Sequence, residues 1–376
     1  MRFVTLFPKA SNVHLIKDVG QIPYMLSKNH DDIDAILVGN YIDTQGSYTD
    51  DVQGLKYDKL KCKWLDWRIG SCLYLLFNAK RIDWLNIYHM GIRAWYWTKI
   101  YKLVNRKGKV YLKLDMGFAN CDKLDSSTKL QNIFDKCLNA VDLVSVESME
   151  VLKRIQIYTK KHILLIPNGY ALEDKQPESY EKENIFLTVG RLGTEEKATE
   201  ILLEAFAMCE EKQDWELRLI GSVEAPFKSY IENYFYVYPE LKEKVKFLGV
   251  IHDRKKMAKE YQKAKIFILP SRWESFGLVL PEAASQGCKL ILTSAVSSCQ
   301  YFIPRQEFGK IIPPNSPSAL ANAMNELAKT YKQDTAVMER ITAYAKKNFS
   351  WENICEKLYK HLCDENVSNS TKAESI

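Results

Sequence analysis

Two carboxylates, Glu274 and Glu282, stand eight positions apart in a stretch of apolar and small residues. A helix is predicted to begin near Leu278, directly after a loop that contains Phe276 and Gly277. The backbone N–H groups at the start of a helix are not bonded within it, and they attract anions. Carboxylates in the same segment accept hydrogen bonds from sugar hydroxyls. The pattern favours a ligand with an anionic group and hydroxyl groups over two solvated glutamates.

The anionic part of such a ligand could be bound by a second group of residues, which lies earlier in the sequence. Gly190 follows a short apolar run, and the cations Arg191 and Lys197 come after it. A glycine lets the backbone approach a ligand closely, and two cations can hold a diphosphate. Taken alone, the cations are better explained as solvated charges beside Glu195 and Glu196. Considered together with Glu274 and Glu282, however, the cations indicate a ligand-binding site.

The elements that must position these residues alternate between strand and helix. Helices are predicted over Thr199–Cys209 and Pro317–Ala328. Strands are predicted over Phe3–Phe7, Ala35–Val38, Val110–Leu114, Leu143–Val146, Ile163–Ile166, Ile185–Val189, Leu217–Ile220, Val245–Leu248, Ile266–Leu269, Lys289–Thr293 and Lys310–Ile312. This alternation is typical of parallel sheets that helices cover on both faces. Such sheets bind ligands outside the carboxyl ends of their strands.

The length of 376 residues predicts two doubly wound α/β domains in series. A hydrophobic content of 46% and a charged content of 27% exclude a disordered or fibrous chain. The polar segment Glu173–Glu183 is the predicted linker. Two such domains facing each other across a cleft indicate a two-substrate enzyme or a closing binding protein.

The candidate residues together resemble a known family. Glu274 and Glu282, in the arrangement E-x7-E, are similar to the signature of family 4 (group 1) retaining glycosyltransferases, which have the GT-B fold. Gly190 and Arg191 with Lys197 resemble the phosphate clamp of that family. The resemblance therefore implies two Rossmann-like domains that face each other across a cleft.

Two further segments extend the resemblance and imply the domain limits. Residues 166–169 resemble the segment that joins the two domains, and residues 349–351 resemble the start of the final helix. The expected division is an acceptor-binding domain, a nucleotide-sugar-binding domain, a helix that crosses back to the first domain, and a flexible tail. Their respective ranges are 1–170, 171–345, 346–365 and 366–376.

The resemblance also implies a role for each residue of the C-terminal half. Arg191 and Lys197 would hold the diphosphate of a nucleotide-sugar donor, and Glu282 would bind its ribose. The donor sugar would meet Glu274 and the loop after it, which consists of Ser275, Phe276, Gly277 and Leu278. Catalysis is assigned to Glu274, Arg191 and Lys197, with retention of the anomeric configuration. A UDP-sugar is expected in preference to a GDP-sugar, with no cofactor and no metal.

The acceptor side departs from the family pattern. The Gly-Gly loop of the family is replaced by Lys17–Gly20, with one glycine, and Asp115 follows a strand after which relatives commonly have a histidine. Gly20, Asp115 and His89 are therefore the acceptor-side candidates, although His89 fits a core histidine equally well. Asp32 and Asp34 match the DxD metal motif of another glycosyltransferase fold. They precede a strand, however, which favours a solvated turn.

The net charge of +6 is unevenly distributed. Residues 56–113 contain 14 Lys and Arg but three Asp, a net charge of +11, and many aromatic residues. This composition favours contact with an anionic membrane, with a structural role as the next alternative and nucleic acid as an unlikely one. The nine scattered cysteines and the absence of a signal-peptide pattern predict a cytoplasmic protein. The basic, aromatic segment places this protein at the inner face of the cell membrane.

Three functions are compatible with these patterns. The leading one is transfer of a sugar to a glycan or lipid-linked glycan in the synthesis of cell-surface polysaccharide or glycoconjugate. A non-catalytic GT-B partner that recognises a glycan or stabilises a complex would not need all four of Arg191, Lys197, Glu274 and Glu282. A GT-B phosphorylase would need a lysine for pyridoxal phosphate, and the sequence contains no motif for one.

Overall fold

The computed structural model describes residues 1–40, 43, 48–60, 66–170, 182–331 and 335–364. The chain divides into two compact units. Unit 1 comprises Met1–Ala171 and Phe349–Ile376, and unit 2 comprises Leu172–Asn348. The predicted tail and all but the last two residues of the predicted linker lie outside the described residues.

Within the described residues, the sheet of unit 1 has seven parallel strands in the order β3-β2-β1-β4-β5-β6-β7. The strands are β1 (Arg2–Leu6), β2 (Asp34–Gly39), β3 (Lys56–Lys59), β4 (Trp84–Tyr88), β5 (Lys109–Lys113), β6 (Leu143–Val146) and β7 (Leu164–Leu165). The sequence predicted five of them to within two residues at each end and missed β3 and β4. The strand order reverses direction between β1 and β4, which is the topological switch point of the unit.

In the part of unit 2 that the structure describes, the sheet has six parallel strands in the order β10-β9-β8-β11-β12-β13. The strands are β8 (Glu183–Val189), β9 (Glu216–Ile220), β10 (Val245–Gly249), β11 (Ala264–Leu269), β12 (Lys289–Thr293) and β13 (Gly309–Ile312). All six were predicted, because each is a short apolar run between polar segments. The switch point of this sheet lies between β8 and β11.

Fourteen α-helices connect or cover the strands within the described residues. They are α1 (Asp18–Asn29), α2 (Trp67–Asn78), α3 (Ile92–Val104), α4 (Phe118–Asp125), α5 (Thr128–Ala140), α6 (Met149–Ile155), α7 (Thr199–Met208), α8 (Lys228–Val237), α9 (Arg254–Lys263), α10 (Val279–Ser285), α11 (Cys299–Phe302), α12 (Pro317–Thr330), α13 (Thr335–Phe349) and α14 (Trp351–Cys363). In that part of the chain, no helix has the length and hydrophobicity needed to cross a bilayer.

Helix α14 packs in unit 1 although it follows unit 2 in sequence. The Ser350 side chain accepts a hydrogen bond from the Asn353 amide and so caps the helix. Ile354, Leu358 and Leu362 recur on one face of α14, and they join the core that α1 forms on one side of the sheet. The helix that was expected to cross back to the first domain is therefore present.

The basic, aromatic segment 56–113 is a regular part of unit 1. It contributes β3, α2, β4, α3 and β5, while its residues 61–65 lie outside the described part of the chain. Six of its described aromatic side chains are buried in the core, namely Tyr74, Trp84, Tyr88, Trp97, Tyr101 and Tyr111. The structural role that the sequence left open therefore accounts for about half of the aromatic residues.

Candidate functional site

The candidate donor residues of unit 2 lie on two loops at its switch point. One loop, residues 190–198, follows β8, and the other, residues 270–278, follows β11. Because β8 and β11 are paired and parallel, both loops leave the same edge of the sheet. Residues that are about 80 positions apart in sequence are thereby brought together at the edge where α/β sheets bind ligands.

Lys197 lies between two carboxylates. Its Nζ donates to Glu274 Oε2 and lies 3.0 Å from Glu196 Oε1. The side chains of Lys197 and Glu274 are 18% and 15% exposed, so the ion pair is largely shielded from water. Burial opposes the charge of the lysine, but the two glutamates outweigh burial and raise the pKa of Lys197 above its ordinary value. Lys197 is therefore a fixed positive charge.

Arg191 is the second cation of the site. Its guanidinium lies 2.9 Å from the other carboxylate oxygen of Glu196, and its side chain is mostly exposed. Glu196 thus bridges Arg191 and Lys197 and keeps two positive groups close to each other. Gly190 precedes them, and the stem of Lys197 passes beside it, 3.6 Å from the position that a Cβ would take. The clamp residues predicted from the sequence are therefore neighbours.

The backbone of Glu274 is anchored on both sides. Its amide donates to the Ala295 carbonyl over 3.3 Å, and its carbonyl accepts from the Ser297 amide over 3.0 Å. Both partners lie on the loop after β12, the next strand of the sheet. This attachment fixes the residue from which the carboxylate extends toward Lys197.

The segment after Glu274 makes a tight approach to α10. Phe276 is buried against Phe302, with the ring centroids 5.3 Å apart, and its carbonyl accepts from Ser298 Oγ over 2.6 Å. Gly277 has a φ of +79°, and a Cβ there would lie 2.9 Å from Leu280. Helix α10 begins at Val279, where the sequence predicted a helix start. Ser275 and Leu278 are half-buried beside these residues.

Glu282 lies in α10 and is held by two side chains of α9. The Arg254 guanidinium is 2.8 Å from Glu282 Oε1, and the Tyr261 hydroxyl donates to Oε2 over 3.0 Å. Burial and the charge of Glu282 raise the pKa of Tyr261 well above its ordinary value, which keeps its proton available for this bond. Arg254 and Tyr261 were not recognised in the sequence, because they stand 28 and 21 positions before Glu282.

Arg272 connects the two donor loops and was also missed. Its guanidinium donates to the Glu195 carbonyl over 2.8 Å and to Asn315 Oδ1 over 2.6 Å, and it pairs with Glu200. Its amide donates to the Glu196 carbonyl over 2.9 Å. The sequence offers one indication of this role, namely that an arginine stands two positions before Glu274.

The acceptor-side candidates of unit 1 are distributed over two places. His89 follows β4 and Asp115 follows the adjacent β5, and His89 Nδ1 lies 3.6 Å from Asp115 Oδ2. Both have a left-handed backbone, with φ of 62° and 48°, which is unusual for residues other than glycine. Gly20 instead lies inside α1, where a Cβ would come within 2.5 Å of the Leu15 backbone. Close packing therefore explains Gly20.

A buried charged group lies next to Asp115 in unit 1. Lys113 Nζ is 2.9 Å from Glu147 Oε1 and 3.8 Å from Asp18 Oδ2, and it donates to the Ile166 carbonyl over 3.0 Å. Burial raises the pKa of Glu147 to about 7 and that of Asp18 to about 6, although Lys113 opposes both shifts. No sequence motif indicated a functional role for these three residues.

The two residues of the DxD pattern lie at the amino end of a strand. Asp34 is the first residue of β2 and pairs with Lys56 over 2.6 Å, while Asp32 accepts from the Tyr359 hydroxyl over 3.2 Å. This is the edge opposite to the one where parallel sheets bind ligands. Asp32 lies in the predicted surface turn, whereas Asp34 belongs to the strand that follows it.

One family model and several known proteins match the sequence of this chain. The family model described as glycosyl transferases group 1 matches residues 171–348, the segment that contains all the candidate donor residues. An uncharacterized glycosyltransferase of Methanocaldococcus jannaschii is 29% identical over 179 residues, which are 46% of this chain and 43% of that protein. The phosphatidylinositol N-acetylglucosaminyltransferase gpi3 subunit of Schizosaccharomyces pombe is 25% identical over 257 residues, which are 66% of this chain and 54% of that protein. The chain thus spans about half the length of these curated relatives.

Solved structures match almost the whole chain. Sucrose-phosphate synthase from Thermosynechococcus elongatus superposes with a TM-score of 0.73 at 19% identity, over 96% of this chain and 99% of that one. The Anabaena protein HepE, solved with UDP and glucose, has a TM-score of 0.69 at 14% identity over the same shares. These likenesses establish the fold. Residues 171–348 therefore resemble the group 1 glycosyl transferases, and the chain has the two-sheet α/β architecture of the GT-B fold.

Proposed function

We propose that this chain is a retaining glycosyltransferase that moves a hexosyl group from a nucleotide diphosphate sugar to a glycan or lipid-linked glycan acceptor. The observation that carries the proposal is the meeting of Arg191, Lys197 and Glu274 at the switch point of unit 2. Two cations and a carboxylate at one sheet edge match the two halves of such a donor, a diphosphate and a polyhydroxylated sugar.

Each residue of the site binds a different part of the donor. Arg191 and Lys197 neutralise the diphosphate, and the first amides of α10 add hydrogen-bond donors for its oxygens. Glu274 accepts hydrogen bonds from hydroxyls of the donor sugar. Glu282, oriented by Arg254 and Tyr261, accepts from the ribose hydroxyls. The two cations fulfil the role of charge neutralisation, so the proposed reaction requires no metal.

The proposed chemistry takes place on one face of the sugar. The bond between the anomeric carbon and the diphosphate oxygen breaks, and a bond to the acceptor oxygen forms on the same face. The acceptor proton passes to the departing diphosphate oxygen. Arg191 and Lys197 stabilise the negative charge that grows on the leaving group, and the rigid loops position the reactants.

A UDP-sugar is the proposed donor. HepE, which shares the fold, was solved with UDP and glucose, and this supports a uridine nucleotide in preference to a guanosine nucleotide. Thermal-shift measurements with a panel of UDP- and GDP-sugars test this choice, because a ligand stabilises the state that binds it. Stabilisation by GDP-sugars alone would overturn the choice of base and leave the transferase proposal standing.

The acceptor is proposed to be a glycan or a lipid-linked glycan, with His89 and Asp115 on the acceptor side. The name of the gpi3 relative refers to a phosphatidylinositol acceptor, which supports a lipid-linked substrate. We place the activity in the cytoplasm at the inner face of the cell membrane, in the synthesis of cell-surface polysaccharide or glycoconjugate.

The anomeric configuration of the product tests the mechanism. NMR of the glycoside formed from an α-linked donor should show an α linkage, and a β linkage would contradict the one-face reaction. A chain that binds no nucleotide sugar and turns none over would instead fit the non-catalytic partner.

A further inference from the structure

The helices α2 and α3 of unit 1 expose large apolar side chains. Phe77 and Leu103 are 82% and 74% exposed, although positions exposed to this extent are usually occupied by polar residues. Six residues form the set that we call the α2/α3 face: Ile69, Leu76, Phe77, Ile92, Tyr96 and Leu103. They are six of the fifteen large apolar side chains exposed in the described part of the chain, within 35 positions.

The six side chains emerge on one side of unit 1. Both helices pack on the same face of the sheet, in the core that also includes α5, and they contact each other through the rings of Trp67 and Trp97, whose centroids are 6.2 Å apart. Each helix precedes a strand of a parallel sheet, so α2 and α3 run in the same direction. Phe77 and Leu103 therefore lie toward the same end of the pair.

The spacing agrees with an outward stripe on each helix. Ile69 and Phe77 are eight positions apart, which is close to two turns, and Ile92 and Leu103 are eleven positions apart, which is close to three. The opposite sides of the two helices hold Leu75 of α2 and Tyr101 of α3 in the core. The helices are thus apolar both toward the sheet and outward.

Positive charge surrounds the α2/α3 face. From Trp67 to Lys109 the chain has nine Lys and Arg and one acidic residue, Asp83, so the net charge is +8. The exposed cations are Arg68, Lys80, Arg81, Arg93, Lys99, Arg106 and Lys107. Asp83 accepts from the Arg2 amide over 2.6 Å. An apolar surface ringed by cations is complementary to a surface with acyl chains below negative headgroups.

We propose that the α2/α3 face binds the surface of an anionic phospholipid bilayer. The apolar side chains enter the boundary between headgroups and acyl chains, and the lysines and arginines contact the negative headgroups. A second copy of the chain fits this face less well, because pairing through it would place two surfaces of net charge +8 against each other. The proposal rests on the membrane location given in the proposed function and assigns it to this face. The face contains no residue of the donor site, so loss of vesicle binding would leave the nucleotide-sugar site standing.

Vesicle cosedimentation of the full chain, without any nucleotide sugar, tests the proposal. We expect binding to vesicles of phosphatidylglycerol and phosphatidylcholine at low salt, and much weaker binding to pure phosphatidylcholine or at high salt. The double variant Phe77→Ser with Leu103→Ser should bind about tenfold more weakly or worse. Arg106→Gln with Lys107→Gln should lose about fivefold for each cation removed.

The matched control is Tyr236→Ser with Val237→Ser on α8 of unit 2, where the side chains are 85% and 53% exposed. It should bind vesicles as the wild type does, and all variants should keep the wild-type melting temperature. Absence of binding to the anionic vesicles at low salt would overturn the proposal, as would equal losses in the α2/α3 and α8 variants. Concentration-dependent dimerisation that the Phe77/Leu103 variant abolishes would assign the face to a second copy instead.

Discussion

Lys197 and Glu274, 77 positions apart, form a shielded ion pair at the switch point of unit 2. In the proposed reaction these partners serve different halves of the donor, the lysine the diphosphate and the glutamate the sugar. Each holds the other in place before the donor arrives, so little reorganisation is required on binding. The pair also explains why the two loops must be adjacent.

The variant Glu274→Gln separates binding from turnover. It removes a negative charge next to the lysine that binds the diphosphate, so the Kd for UDP should stay the same or decrease. Turnover should fall by about 100-fold or more, because the hydrogen bonds of a charged carboxylate to the donor sugar are lost. Calorimetry with UDP and steady-state kinetics measure the two effects. A Kd that rises in step with the loss of kcat would place Glu274 on the diphosphate instead.

Replacement of Lys197 should act mainly on the diphosphate. We expect Lys197→Ala to weaken UDP binding by about tenfold or more, since a shielded charge-assisted hydrogen bond is lost. Uridine itself, which has no phosphate, should bind both proteins equally. The control Lys228→Ala removes an exposed lysine at the start of α8 and should leave both affinities unchanged. A similar loss for uridine and UDP would contradict the assignment.

Glu282 should recognise the ribose. The variant Glu282→Gln keeps the size of the side chain and an acceptor oxygen for Tyr261, but it loses the charge that hydroxyl donors prefer. We expect about tenfold weaker UDP binding, and a smaller difference between UDP and 2′-deoxy-UDP than the wild type shows. Glu232→Gln on α8 is the exposed control. If the variant discriminates against the deoxynucleotide as strongly as the wild type, Glu282 does not bind the ribose.

The buried carboxyl of Glu147 should make unit 1 sensitive to pH. Burial raises its pKa to about 7, above the ordinary value of 4.5, so the native state binds this proton more tightly than the unfolded state. The resulting stabilisation is complete below about pH 4.5 and disappears as the pH rises through about 7. Relative to Glu147→Gln, the wild type should therefore lose stability across this range, by at most about 1.4 kcal/mol per pH unit.

Hydrogen-exchange protection of β5 and β6, compared between wild type and Glu147→Gln at several pH values, measures this effect. Glu150→Gln, on a neighbouring carboxyl that lies on α6, shows how much of the change belongs to Glu147 alone. A constant difference in protection between wild type and Glu147→Gln across the range would contradict the prediction.

The strands of unit 2 could be predicted because local sequence determines them. The inner strands β8, β9, β11 and β12 each contain an apolar run that the sheet buries. The edge strands β10 and β13 are partly exposed but still carry short apolar runs. The missed strands differ: β3 has the sequence Lys-Tyr-Asp-Lys and lies at the sheet edge, where polar residues are tolerated. Strand β4 was missed because it lies inside the basic, aromatic segment. Its short apolar sequence, Trp-Leu-Asn-Ile-Tyr, was interpreted as part of that segment.

The donor residues could be predicted from motifs, whereas the residues that position them could not. Arg254 and Tyr261 reach Glu282 from another helix, and Arg272 reaches residues from position 195 to position 315. Such contacts depend on which strands are neighbours in the sheet, and the order of the strands cannot be predicted from local sequence periodicity. The group of Lys113, Asp18 and Glu147 is likewise assembled from three separate elements.

The release of nucleoside diphosphate from a saturating nucleotide sugar measures directly whether the switch point of unit 2 is a nucleotide-sugar site. With the donor that stabilises the chain most, the wild type should release product and Lys197→Ala should release it at least about 100-fold more slowly. Equal rates for the two proteins, or no release from any UDP- or GDP-sugar with or without glycan acceptors, would contradict a nucleotide-sugar site at the switch point of unit 2.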